Sequence, residues 1–288
     1  MKHPAVMLVA HGTVESEADL PAFLLRVRRG RPAPDALVAE TRRRYALIGG
    51  SPLLRITRAQ ATALEDELGL PVVVAMRLWH PFVEEVLPEL LATGVDRVCV
   101  LPMAPFSVAV YHEAALAAAR AVGLGSAAEF APVEPWGCEP ALVAAHAEAI
   151  AAAGPADATI VTAHSLPVAV LRGGDRYAVE VEAAVRAVAA RLGENLTLAF
   201  QSQSGDGEWL GPDLRTVLEQ LHADGAERIR LAPIGFLADH VETLYDLDVE
   251  AQAWAAEIGI ELVRVPALNE SPGLIDAMAS VARRALSA

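Results

Sequence analysis

The chain has 288 residues, 53% of them hydrophobic and 21% charged, so a large core is within reach and general disorder is excluded. Its formal charge of 23 − 37 = −14 makes it a poor general binder of nucleic acid or anionic membrane. Two cysteines, Cys99 and Cys138, allow one disulfide at most and fit a reduced, cytoplasmic protein.

Short apolar runs alternate with longer amphipathic stretches. In the first half, strands are expected over 5–10, 72–76, 97–102 and 129–133, and helices over 34–48, 55–68, 81–93 and 111–122. In the second half, strands are expected over 159–163, 196–201, 228–234 and 261–265, and helices over 176–192, 212–223, 240–257 and 272–286. The opening run ends in His11-Gly12 and is followed by Glu15, Glu17 and Asp19, which is not a signal-peptide pattern. No stretch reaches the roughly 18 uninterrupted apolar residues of a membrane-spanning helix. The strand candidates are near-continuous in apolar residues, as parallel strands covered on both faces are. The fold class is therefore α/β with parallel sheets.

The pattern repeats. Gly94-Val-Asp-Arg-Val-Cys-Val-Leu-Pro102 matches Gly225-Ala-Glu-Arg-Ile-Arg-Leu-Ala-Pro233 at an offset of 225 − 94 = 131. Ala10-His11-Gly12 matches Ala163-His164-Ser165 at 164 − 11 = 153, so the first half carries 153 − 131 = 22 extra residues between His11 and Pro81. Two similar halves are expected, 1–130 and 131–288, each a four-stranded parallel sheet, related by a pseudo-twofold axis with a cleft between them. Ligands of open parallel sheets bind beyond the carboxyl ends of the strands. His11 and His164 both fall at such an end, and the repeat predicts that both look into the cleft. The plainer alternative for either one alone is a histidine that caps nearby backbone.

Charge is unevenly spread. Residues 26–58 hold nine arginines against Asp35 and Glu40, a local charge of +7. Such a patch on an acidic protein suggests a small anionic ligand held through guanidinium groups; a solvated helix face is the alternative. Residues 231–263 hold no Lys or Arg, and there Glu242, Asp246 and Glu250 recur at i, i+4, i+8. On a helix this stacks three carboxylates in a column, a path for a divalent cation or for protons, or again a solvated face. Of the remaining histidines, His3, His146 and His222 are expected at the surface. Together the cleft histidines, the acidic column and the arginine patch suit a metal and an anionic, partly apolar ligand.

Several segments are more specific. They are Arg28-Arg-Gly-Arg-Pro32, Tyr45 with Ile48-Gly-Gly-Ser-Pro-Leu53, Met76-Arg-Leu-Trp-His-Pro-Phe82 and Ala163-His-Ser-Leu-Pro167. Gln201-Ser202, Trp209-Leu-Gly-Pro212 and Gly235-Phe-Leu-Ala-Asp-His-Val-Glu-Thr-Leu-Tyr-Asp246 complete the set. In these the chain resembles ferrochelatase, which inserts ferrous iron into a porphyrin in haem synthesis, almost from end to end. The resemblance implies two Rossmann-like halves gripping the porphyrin. It implies His164 as catalytic histidine, Glu242 as its acidic partner, and Asp246 and Glu250 on an acidic row carried by a helix widened by a π-turn. His164, Glu242, His11, Asp246 and Glu250 become candidate metal contacts, with His11 standing where Gram-positive members have tyrosine. Arg29, Arg31, Arg44, Tyr45, Ser51, Thr57, Tyr111 and Trp209 become candidate porphyrin contacts. Fe²⁺ is then a substrate, haem the product, and neither an organic cofactor nor an iron–sulfur cluster is expected; the protein is expected to be a monomer or weak dimer. A neutral imidazole at His164 would take up a pyrrole proton. His11-Gly12-Thr13 is also similar to the small cobalt and nickel chelatases of corrinoid-type pathways, an alternative enzyme reading. A haem or metal carrier is the non-enzymatic alternative.

Overall fold

A computed structural model describes residues 2–203 and 207–287. The chain divides into two compact units. The first contains β1 (Pro4–Ala10), α1 (Leu20–Val27), α2 (Asp35–Leu47), α3 (Leu53–Leu68), β2 (Val72–Met76), α4 (Val83–Ala92), β3 (Arg97–Pro102), α5 (Val108–Ala121) and β4 (Glu129–Ala131). The second contains α6 (Pro140–Ala152), β5 (Ala158–His164), α7 (Val168–Arg172), α8 (Tyr177–Leu192), β6 (Thr197–Gln201), α9 (Leu214–Ala223), β7 (Arg228–Ala232) and α10 (Val241–Tyr245). It continues through a π-helical turn (Asp246–Ala251), α11 (Gln252–Ile258) and β8 (Glu261–Arg264). The last helix, α12 (Pro272–Ser287), follows.

Each unit has one four-stranded sheet, ordered β2-β1-β3-β4 in the first and β6-β5-β7-β8 in the second. Every pairing is parallel. The two orders are the same once the repeat is allowed for, so the sequence repeat is a repeat of topology. The strands are apolar on both faces because both faces are covered. In β5, Ile160 packs with Ala199, Ile229, Leu214 and Leu218 in one cluster. Its neighbour Val161 points the other way and packs with Phe200, Ala232, Ile150 and Val185 in another.

Two outcomes differ from the sequence expectation. Residues Ile275–Ala288 group with the first unit, although the second half was expected to run to 288. Arg283 pairs with Glu67 at 2.7 Å, and the Arg97 guanidinium donates to the Ala285 carbonyl at 3.2 Å, which ties this segment there. Helices α1, α6 and α7 were not anticipated. With α6 comes a correction: His146 is 7% exposed, a buried residue rather than a surface one. The helix buries Leu142, Val143, Ala145, Ala147 and Ile150 as well, on more than one face. Both cysteines are free thiols, Cys99 buried and Cys138 exposed. Among the described residues, no helix is long and apolar enough to cross a membrane.

Candidate active site

In the second unit, three chain segments converge at the carboxyl ends of β5 and β6. His164 is the last residue of β5 and lies in register with Gln201, the last residue of β6. The loop after β7 reaches the same edge by a very close approach. A Cβ on Gly235 would lie 2.6 Å from the Ala163 Cα, so only glycine lets this loop pass beside the strand. From there the chain enters α10, which carries Glu242.

His164 is held at both ends. Tyr177 donates its hydroxyl to the His164 carbonyl at 2.8 Å. The ring Nδ1 bonds to the Ser165 carbonyl oxygen, which fixes Nδ1 as the protonated nitrogen and turns Nε2 outward. Nε2 stands 3.5 Å from Glu242 Oε1. The other oxygen of Glu242 stands 3.5 Å from His240 Nε2. Gln201 donates from Nε2 to the Glu242 carbonyl at 3.1 Å, and the Ser202 hydroxyl donates to the Asp246 carboxylate. Thus two consecutive residues at the end of β6 grip the first two members of the acidic column.

Burial would lower the His164 pKa, but the Glu242 carboxylate, the Ser165 carbonyl and the Asp246 charge outweigh it and raise it to about 9. Burial would raise the Glu242 carboxyl; His164 and His240 overcome this and hold it well below the usual carboxylate range. The unliganded pair is therefore imidazolium and carboxylate near neutral pH.

The acidic column is carried as expected on a widened helix, since Asp246–Ala251 is a π-turn. On a regular α-helix, residues eight apart drift by about 80° around the axis. The wider turn takes up an extra residue and reduces that drift. Asp246 is 5% exposed, and Glu250 is half-buried near the end of the turn. His240, directly before the column in sequence, stands beside it in space as well. It is pressed against Phe236, with ring centroids 5.0 Å apart, and its Nδ1 is buried without a hydrogen-bond partner. Its position two residues before Glu242 was the available signal.

The other candidate contacts fall into distinct settings. Trp209 is half-buried and pairs in a short bridge with Pro167, just after the His164 loop. In the first unit, His11 follows β1 and is exposed. Next to it, Gly12 has φ +110, and a Cβ there would lie 2.9 Å from the Trp79 nitrogen. Tyr45 is buried, and its hydroxyl meets Thr13 at 2.9 Å. Thr57 is fully buried and donates to the Leu53 carbonyl at 2.8 Å, so its hydroxyl is engaged within α3. Ser51 Oγ is buried without a hydrogen-bond partner. Tyr111 lies under the Arg77 guanidinium, 5.4 Å from the ring centroid.

Arg29 is exposed on the turn after α1, with φ +55. Arg31 donates from Nε to the Arg28 carbonyl at 3.3 Å. Arg44 pairs with Glu40 at 2.9 Å. Arg43 and Arg44 together hold the Glu40 carboxyl down at about 2. The arginine patch is thus partly neutralised from within α2. Among the described residues, no group of three or more His, Cys, Asp and Glu side chains forms a ready-made metal cage.

A family model described as Ferrochelatase matches residues 3–286. The chain belongs to the ferrochelatase family. The ferrochelatase of Acidobacterium capsulatum is 34% identical, over 98% of this chain and 94% of that protein. The coproporphyrin III ferrochelatase of Mycobacterium ulcerans is 38% identical, over 93% of this chain and 83% of that protein. Among solved structures, SirB from Bacillus subtilis with Fe³⁺ superposes with a TM-score of 0.62 at 15% identity, covering 99% of this chain and 96% of that one. That likeness is one of fold. Ferrochelatase membership agrees with the paired parallel sheets and with the motif at Gly235–Asp246 that carries Glu242.

Proposed function

We propose that this ferrochelatase-family enzyme inserts Fe²⁺ into its porphyrin at His164 and Glu242, and that its porphyrin is coproporphyrin III. The observation that carries the site is the His164–Glu242 pair, 3.5 Å apart with each side chain about one-third exposed, at the carboxyl edge of a parallel sheet. Metal insertion exchanges two pyrrole protons for one divalent cation. A fixed carboxylate beside an imidazole favours positive charge at that point, whether proton or metal.

The imidazolium of the unliganded pair first gives up its Nε2 proton to water. Neutral Nε2 then accepts one pyrrole proton: the pyrrole N–H bond breaks, and an Nε2–H bond forms. That proton passes on to water, and Nε2 takes the second pyrrole proton in the same way. Glu242 stays ionised throughout and stabilises the imidazolium that results. Asp246, bonded to Ser202, and Glu250 continue the row along which protons or cations pass. His11 is read as a further candidate metal contact.

Fe²⁺ and the porphyrin enter as substrates and haem leaves as product. Neither an organic cofactor nor an iron–sulfur cluster is required, and borderline Fe²⁺ accepts imidazole and carboxylate ligands. A cytoplasmic monomer or weak dimer fits this reading. Porphyrin mixed with Fe²⁺ or Zn²⁺ tests it: repeated turnover is the expected result, and stoichiometric binding without turnover would make the protein a carrier.

A further inference from the structure

We propose that Arg264 is a positioning residue for metal insertion, because it holds Asp239 and Asp248 at once and so fixes the segment that carries Glu242 and Asp246. This rests on the function proposed above. Arg264 is the last residue of β8, in the same sheet as His164. Its Nη2 donates to Asp239 Oδ1 at 2.7 Å, and its Nε forms an ion pair with Asp248 Oδ1 at 2.9 Å, out of hydrogen-bonding alignment. Asp239 lies three residues before Glu242, and Asp248 lies two residues after Asp246, inside the π-turn. One guanidinium therefore anchors the run on both sides of the two carboxylates.

The near anchor is saturated. Asp239 also accepts from Thr243 Oγ1 at 3.0 Å and from Asn269 Nδ2 at 2.8 Å, and its own N–H donates to Asn269 Oδ1 at 2.8 Å. Asn269 holds φ at +48 and donates its N–H to the Leu237 carbonyl at 2.9 Å. Thr243 in turn accepts from the His240 N–H at 3.0 Å. Every bond in this set ends on the segment 237–243, which delivers His240 and Glu242. The Arg264 and Asp239 side chains are 12% and 14% exposed. A pair so desolvated adds little net stability over apolar residues of the same shape, whereas its geometry is strict. A planar fork with two carboxylates at fixed distances transmits the position of β8 to the helix start and to the π-turn together. Catalysis by Glu242 needs that transmission, since a misplacement of about 1 Å can cost about 10²-fold in rate.

The test compares wild type with Arg264→Met, Arg264→Lys and Asp248→Ala, using Zn²⁺ and porphyrin, thermal unfolding, and crystal structures of each. Arg264→Met is expected to lower kcat about tenfold or more with the porphyrin KM unchanged, as lost orientation does. Arg264→Lys should recover part of this, because an ammonium reaches only one of the carboxylates. Asp248→Ala removes a partly exposed anchor and leaves Asp239 in place. It is expected to fold and to lose several-fold in kcat, so it decides the matter if Arg264→Met does not fold. The His164–Glu242 separation should lengthen in the variants. A folded Arg264→Met or Asp248→Ala with wild-type kcat and an unchanged separation overturns the proposal. If wild type itself does not metalate porphyrin, the proposed function fails, and the crystallographic separation alone then decides the positioning role.

Discussion

His164 Nε2 and Glu242 Oε1 are 3.5 Å apart, a charged pair with room at its edge for an incoming group. Since Glu242 outweighs burial and raises the His164 pKa to about 9, the unliganded pair must lose a proton before His164 can act as a base. The profile of kcat/KM against pH reports the free enzyme. It should therefore rise as pH increases towards 9, and the rising limb should move to lower pH in Glu242→Gln, which removes the carboxylate that raises the imidazole. A limb centred near pH 6.5 in both proteins would disprove the pairing.

Loss of either partner should cost rate more than binding. His164→Ala is expected to lower kcat by about 10²-fold or more, the scale for a positioned acid–base group, with porphyrin binding retained. Glu242→Gln should fall nearly as far, because an amide neither carries a proton nor neutralises a cation. Glu250→Gln, farther along the row, should mainly change the metal dependence. Equal, small effects at all three sites would return the acidic row to a solvated face.

The pair also links stability to pH. His164 has a raised pKa in the folded state, so its contribution is complete below about pH 6.5 and is lost as pH rises through about 9. Glu242 is depressed, so its contribution is complete above about pH 4.5 and is lost as pH falls through its folded value. The stability advantage of wild type over His164→Ala, read from urea unfolding, should shrink between pH 6.5 and 9. An advantage that stays constant across that range would mean no coupling.

His146 gives the opposite sign. Burial alone lowers its pKa to about 4. The unfolded chain then binds a proton that the folded chain refuses, and stability falls as pH drops from about 6.5 towards 4. By linkage the loss between pH 7.5 and 5 is about 2 kcal/mol from this residue. In His146→Leu that part of the pH dependence should vanish; an unfolding curve equally sensitive to acid would show that the imidazole is hydrated.

The eight strands of the described residues were legible because a parallel strand buried on both faces is an unbroken apolar run, and β1, with Ala5 to Val9 fully buried, is such a run. Helix α6 escaped notice because it lacks a polar face. Its alanine-rich sequence is buried on several sides, so periodicity had nothing to report, and His146 was misjudged with it. The repeat located His164 at a strand end, but its protonation state depends on Glu242, 78 residues later (242 − 164 = 78), and on distances no spacing encodes. The Arg264 anchors were equally hidden, since an arginine on a short strand looks like any other.

On the proposed reading, the choice of porphyrin turns on the arginines. Coproporphyrin III carries four propionates, whereas protoporphyrin IX carries two and adds two vinyl groups; each extra carboxylate that leaves water needs a cationic partner. Arg43 and Arg44 share Glu40, with Arg43 held by two bonds of 2.8 Å and Arg44 by one of 2.9 Å. A propionate approaching Arg44 must compete with that carboxylate, which the two arginines hold down at about 2. Arg29 is exposed on its turn. Arg29→Ala should therefore lower kcat/KM for coproporphyrin by about three- to tenfold, the scale of one charge-assisted hydrogen bond near the surface, and affect protoporphyrin less. Arg44→Ala should matter less than Arg29→Ala. Glu40→Gln, which removes the carboxylate that both guanidinium groups share, should raise kcat/KM for coproporphyrin. Measuring both porphyrins without detergent checks all three changes. A preference for protoporphyrin that none of them alters would remove the arginine patch from substrate recognition.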